Sequence, residues 1–177
     1  GEPGGGGGAD QCLCVAAGLR GGPHSGESGA GTGARAGLCA GGVAVADSNS
    51  VRSVSGASGI VGTALDRFGR IDVVVNNAGF LGSERTVPGT TEDDFESLIS
   101  VHLLGAAFVT QAAWPSMEER QYGRIVNLSS NAAFFPVGDD NDGVINSAYM
   151  ASKAAVIRLT EALAGEARGE RLYACAL

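Results

Sequence analysis

Residues 70–79 read RIDVVVNNAG. Ile71 and three consecutive valines form a short apolar run rich in β-branched residues, the composition of a buried strand. Asn-Asn-Ala-Gly then ends the run with turn-forming and small residues. A strand with so little alternation belongs inside a parallel sheet, and parallel strands need helical crossovers between them.

The flanking sequence supplies those crossovers. Upstream, VRSVSGASGIVGTALDRF (51–68) places Ile60, Val61, Ala64, Leu65 and Phe68 at helical spacing, although serine and glycine weaken its first half. VAVAD (43–47) reads as a short buried strand ending at Asp47. Downstream, TTEDDFESLISVHLLGAAFVTQAAW (90–114) predicts a strong helix, with Thr91 as its cap and Asp94 in the reciprocal position. Pro115 is expected to kink or end it. GRIVNLSS (123–130) is a second buried strand, a helix around Tyr149 runs to about Arg168, and RLYACAL (171–177) begins a further strand. This alternation predicts an α/β fold, an open parallel sheet with helices on both faces. Ligands of such sheets bind beyond the carboxyl ends of the strands. Those positions hold Asp47, residues 76–79, and Ser129 with Ser130. None carries a cluster of metal ligands, so the expected ligand is organic and no metal site is assigned.

The chain has 177 residues, enough for one domain with its own core. Its net charge of −7 argues against nucleic acid as a partner. No uncharged apolar run is judged to approach the ~20 residues that span a bilayer, and no basic flank precedes an apolar core at the start. Cys12, Cys14, Cys39 and Cys175 match neither a zinc site nor a disulfide framework and read as isolated small hydrophobes, with a cytoplasmic compartment as the default. Residues 1–42 hold 16 of the 29 glycines and are expected to be mostly irregular, a glycine-rich opening before the ordered part at 43–177.

One pair stands out in SAYMASKAAVIRLTEAL (147–163): Tyr149 and Lys153, four residues apart and so on one helix face. A cation one turn away favours the phenolate form of tyrosine. Tyr149 is then placed to take a proton from an alcohol or return one to a carbonyl.

NNAG after one strand, NLSS after the next, and YMASK opening the following helix together resemble the short-chain dehydrogenase/reductase family. The likeness runs from about Gly41 onward, with AVADSNSV and VHLLGAAFVTQAAWP most similar to the bacterial and peroxisomal hydroxyacyl-CoA dehydrogenase branch. It implies a Rossmann-like fold, incomplete at both ends, and an oxidoreductase that interconverts a hydroxyl and a carbonyl group with NAD or NADP, with an acyl thioester as one candidate substrate. It further implies a small alcohol or carbonyl substrate, and a homo-oligomer built through the two long helices. By resemblance, Tyr149 is the acid/base and Lys153 also bonds the nicotinamide ribose. Ser130 orients the substrate, although a hydroxyl capping the turn after the strand is the alternative. Asn77, Ala78 and Gly79 line the adenosine-ribose side, or form an ordinary turn, and Asp47 meets the adenine, or closes a strand end. His102 stands where most members have an asparagine of the proton relay. It either carries a proton itself or is a buried histidine with a backbone partner.

Two departures keep a second reading open, a non-catalytic truncated or frameshifted remnant. SGESGAGTGARAG (25–37) lacks the family's glycine spacing and follows no clear apolar strand, so a linker competes with a phosphate site there. The chain also stops inside a strand, before the family's substrate lid. PVGDDNDGVIN (136–146) lengthens the segment before Tyr149, and Asp139, Asp140 and Asp142 read as a solvated loop rather than a cation site.

Overall fold

The computed structural model describes residues 14–16, 45–82, 86–134, 146–167 and 171–177. Its elements are β1 (Cys14–Ala16), α1 (Val54–Phe68), β2 (Val73–Asn76), α2 (Glu92–Ile99), α3 (Gly105–Glu119), β3 (Gly123–Asn127), α4 (Ser147–Glu166) and β4 (Leu172–Ala176). The sheet order is β1-β2-β3-β4, with β2, β3 and β4 parallel and β1 antiparallel to β2. The expected Rossmann-like sheet with crossover helices is formed, and it is incomplete.

Local chemistry explains most helix ends. Ser53 caps α1 by accepting from the Gly56 amide, and Gly69 ends it in the left-handed region at φ 72°. Thr91 and Asp94 form the expected capping box at α2. Asn146 caps α4 by accepting from the Tyr149 amide. Pro115 does not end α3, which continues to Glu119. The last turn is held from outside the helix ladder. Met117 is fully buried, and Arg120 donates to Ser116 O, to Asp72 Oδ1 at 2.9 Å and to Ile71 O. Arg120 thus ties the end of α3 to the segment leading into β2, and Arg70 grips the same Asp72 carboxylate at 2.7 Å from within that segment.

Between α2 and α3 the helix widens into a π-turn over Ser100–Leu104, where the Gly105 amide donates to Ser100 O. The combined helix Glu92–Glu119 is long and apolar enough to cross a membrane, which corrects the judgement that no run approached that length. Its apolar positions have another use: Leu98, Val101, Val109, Ala113 and Met117 are buried in the folded chain.

The helices α3 and α4 lie on the same sheet face, since Asn76 bonds Thr110 of α3 and its register partner Asn127 bonds Thr160 of α4. Val74 and Ile125 share that face and join Ile60, Val61 and Ala64 of α1 in the core. On the opposite face Arg124 stacks between Tyr122 and Tyr173, with its guanidinium 4.6 and 4.3 Å from the two ring centroids.

Three further expectations change. Val45, Ala46 and Asp47 form no strand, and Val45 is 45% exposed. The open edge of β2 is taken by β1 instead. The glycine-rich opening therefore contributes a strand, while the rest of residues 1–42 and the 136–145 acidic loop lie outside the described residues. Cys175 is an exposed free thiol rather than a buried hydrophobe, because it falls on the outward side of β4.

Candidate active site

The parallel strands bring their carboxyl ends together, and the residues beyond them build the site. After β2 the chain turns at once, with the Asn77 amide donating to Val75 O. Ala78 then joins Asn76, His102, Leu128 and Lys153 around a small cleft. After β3, Ser129 donates from Oγ to Lys153 O at 2.9 Å, which docks the strand exit on α4. Above these exits α4 presents Tyr149 and Lys153 one turn apart, with Nζ of Lys153 5.7 Å from the Tyr149 ring centroid. The spacing read from the sequence puts the two side chains together, with Lys153 on the lining of the cleft and Tyr149 beside it.

Lys153 is 6% exposed and donates from Nζ to Leu128 O at 2.7 Å. Burial holds its pKa below the ordinary lysine value. An ammonium has three N–H donors, and among the described residues this one makes a single hydrogen bond. Two donors remain for hydroxyl acceptors in the cleft, the donor set a ribose requires.

His102 is 3% exposed and fully bonded. Its Nε2 accepts from the Phe80 amide at 3.1 Å, and its Nδ1 lies 2.8 Å from Ser152 Oγ. Its ring meets Tyr149 edge-on, with centroids 5.5 Å apart and planes at 86°. Burial, then the neighbouring Lys153 charge, lowers its pKa to about 4. The sign of the consequence follows. An unfolded chain protonates this histidine below about pH 6.5, while the folded chain keeps it neutral down to about pH 4. Its contribution is whole above about pH 6.5 and is lost as pH falls toward 4, up to about 3 kcal/mol in all. Urea midpoints at about pH 7 and about pH 5 should therefore differ more for the native chain than for His102→Gln. Equal pH dependence in the two proteins would contradict a buried neutral His102.

The other expected site residues divide. Gly79 is required by the histidine: a Cβ there would stand 2.8 Å from His102 Nε2. Asn77 is exposed beside it. Ser130 spends its hydroxyl in its own turn, accepting from the Ala132 amide at 3.2 Å and donating to Asn131 Oδ1 at 3.3 Å. That is the capping geometry, although the residue does sit at the β3 exit. Asp47 accepts from Thr63 Oγ1 on α1 at 2.5 Å and from the Asn49 amide at 2.7 Å. Partial burial pushes its carboxyl up, but those hydrogen bonds outweigh it and leave the pKa below the ordinary value. Among the described residues, no group of three or more metal-ligating side chains converges.

Two site residues were not anticipated. Ser152 is completely buried between His102 and Tyr149 O. Asn146, besides capping α4, donates to Leu81 O at 2.5 Å and so pins the loop after β2. An asparagine just before a helix is a readable cap signal. Nothing local marks Ser152.

The family model of short chain dehydrogenases matches residues 36–176. The chain belongs to this family. Its relatives include the peroxisomal multifunctional enzyme type 2 of Drosophila melanogaster, 43% identical over 72% of this chain and 20% of that protein. The peroxisomal hydratase-dehydrogenase-epimerase of Saccharomyces cerevisiae is 41% identical over 72% of this chain and 13% of its own length. Among solved structures, NAD+-bound xylitol dehydrogenase superposes with a TM-score of 0.63 at 32% identity, covering 71% of this chain and 46% of that one. The chain thus spans less than half of each of these proteins. The family model and these relatives agree on the family, and the superposition on a solved structure agrees with the Rossmann fold.

Proposed function

We propose that this chain carries the acid/base half of a nicotinamide-dependent oxidoreductase that interconverts a hydroxyl and a carbonyl group, with an acyl thioester as substrate. The observation that carries it is the meeting of Tyr149 with Lys153 and His102, two residues that line a small cleft at the exits of β2 and β3. The family match supports the reaction class, and the multifunctional and hydratase-dehydrogenase-epimerase relatives support the thioester.

A nicotinamide dinucleotide, when bound, supplies or accepts the hydride. Lys153 would hold its ribose through the N–H donors not used on Leu128, and Ala78, on the lining of the cleft, would let it approach the main chain closely. NAD and NADP both satisfy these contacts. Tyr149 donates its phenolic proton to the substrate oxygen during reduction and takes it back during oxidation. Lys153 beside it steadies the negative charge this leaves on the phenol oxygen. Ser130 reaches the substrate oxygen by turning its hydroxyl out of the cap it now makes.

One observation favours the second reading, a non-catalytic remnant. The pyrophosphate of a dinucleotide is held at the carboxyl end of a strand running parallel to β2, where a helix begins. β1 runs the other way: Cys14 stands opposite Val75 and Ala16 opposite Val73, so its carboxyl end is remote from the site. Dinucleotide affinity in this chain is therefore expected to be weak. Titration with NADH, followed by nicotinamide fluorescence, should show no saturation in the micromolar range. A β-ketoacyl thioester is then added at about 1 mM NADH. Oxidation of NADH supports the oxidoreductase; its absence in a folded chain selects the remnant. Saturable micromolar binding would remove the remnant reading altogether.

A further inference from the structure

We propose that His102 is a positioning residue, a neutral ring fixed in its Nδ1–H tautomer that clamps the loop 77–80 to the turn of α4 carrying Tyr149. It is not the proton carrier that its place beside Tyr149 suggests. This rests on the reading of Tyr149 as the acid/base.

Hydrogen-bond direction decides the tautomer. The Phe80 amide is only a donor, so Nε2 of His102 must accept from it and carries no proton. The ring's proton is then on Nδ1, facing Ser152 Oγ at 2.8 Å. Ser152 in turn donates its hydroxyl proton to Tyr149 O at 2.7 Å. The sequence Phe80 N–H to imidazole, imidazole to hydroxyl, hydroxyl to carbonyl is complete, with every donor and acceptor used once. A proton added at Nε2 would face the Phe80 amide donor to donor and break the loop contact. Burial and the neighbouring Lys153 charge separately favour the neutral ring.

The same arrangement explains two otherwise unrelated features. Gly79 has no side chain because a Cβ would occupy the space of Nε2, 2.8 Å away. The π-turn over Ser100–Leu104 contains His102 and buries it, along with Val101, at the junction of two helices. A loop from β2, a helix junction and α4 therefore converge on one imidazole. Tyr149 is held twice as a result, by its carbonyl through Ser152 and by the edge contact of its ring. Among the described residues, the titratable groups shown facing the imidazole are Lys153 and Tyr149, both from α4.

The test uses the full chain labelled with 15N in its two histidines, His24 and His102. Long-range proton–nitrogen spectra should show His102 with a protonated Nδ1 and a bare Nε2, unchanged from about pH 8 to about pH 5. A protonated Nε2 in that range overturns the proposal. In amide exchange, His102→Asn keeps a donor near Ser152 and loses the acceptor, so Phe80 should exchange roughly five- to tenfold faster. His102→Gln, which can reach Phe80 with its amide oxygen, should restore most of that protection. Equal exchange in all three proteins also overturns the clamp. These readouts need no turnover, so they separate the clamp from the oxidoreductase reading. Where turnover is measurable, both variants should lower kcat with KM nearly unchanged and leave the pH–rate profile in its native shape. Loss of an ionisation from that profile would make His102 a proton carrier and refute the proposal.

Discussion

Tyr149→Phe is expected to lower turnover by about 10²–10⁴-fold, the usual contribution of a positioned acid/base group. Phenylalanine retains the ring, so the edge contact with His102 and the packing beside Lys153 persist. Only the hydroxyl is lost, and with it the proton that must reach the substrate oxygen. Dinucleotide affinity should stay nearly intact, because Lys153, the residue proposed to hold the ribose, is unchanged. The measurement is kcat of the native protein and of the variant, beside an NADH titration of both. A variant that kept most of its kcat would remove Tyr149 from the mechanism, whatever its place in the cleft.

The largest structural effect is expected from Asn127→Leu. Asn127 is wholly buried, and its two amide atoms join opposite parts of the core. Its Oδ1 accepts from Asn76 Nδ2 at 2.7 Å, and its Nδ2 donates to Thr160 Oγ1 at 2.8 Å. Leucine fills a similar volume and makes neither bond. Asn76 would be left with its longer contacts to Thr110 and Ala106 O, at 3.2 and 3.4 Å. Thr160 would still donate to Val156 O. The loss should be about 2–4 kcal/mol, read as a lower urea midpoint at constant m-value. Thr160→Val should cost less, since it leaves the Asn76–Asn127 bond in place. Equal losses for the two variants would show that the asparagine pair is not the stronger member of the network.

Much of this was legible because it depends on neighbours in the chain. The valines of β2, the apolar spacing of α1 and the capping box at Thr91 are short-range signals, and each appeared where read. Tyr149 and Lys153 were found for the same reason, since helical spacing alone sets them on one face. The misreadings concern partners far away in sequence. VAVAD has the composition of a strand, yet its described part, residues 45–47, forms no strand, and β1 holds the edge of β2. The direction of β1 is set by pairing, which composition does not encode. Pro115 looked terminal because the buried Met117 and the Arg120 contacts to Ile71 and Asp72 could not be foreseen. Ser152 was passed over as an ordinary small residue, since its role comes from a histidine fifty residues earlier.

The π-turn has a consequence for how this chain can change. A regular α-helix advances about 100° per residue, and a π-turn absorbs one residue more than that winding allows. The five residues of this turn, wound more loosely, sweep nearly the angle of four in a regular helix. Deleting a single residue between Ser100 and Leu104 would therefore close the turn into a regular helix and leave α3 facing the sheet, where Thr110 meets Asn76. The same deletion inside α3 has no slack to draw on, and would rotate everything beyond it by about 100°, carrying Met117 off the sheet. Length here behaves as angular phase, and the π-turn is the place where one residue can be lost with little change of phase.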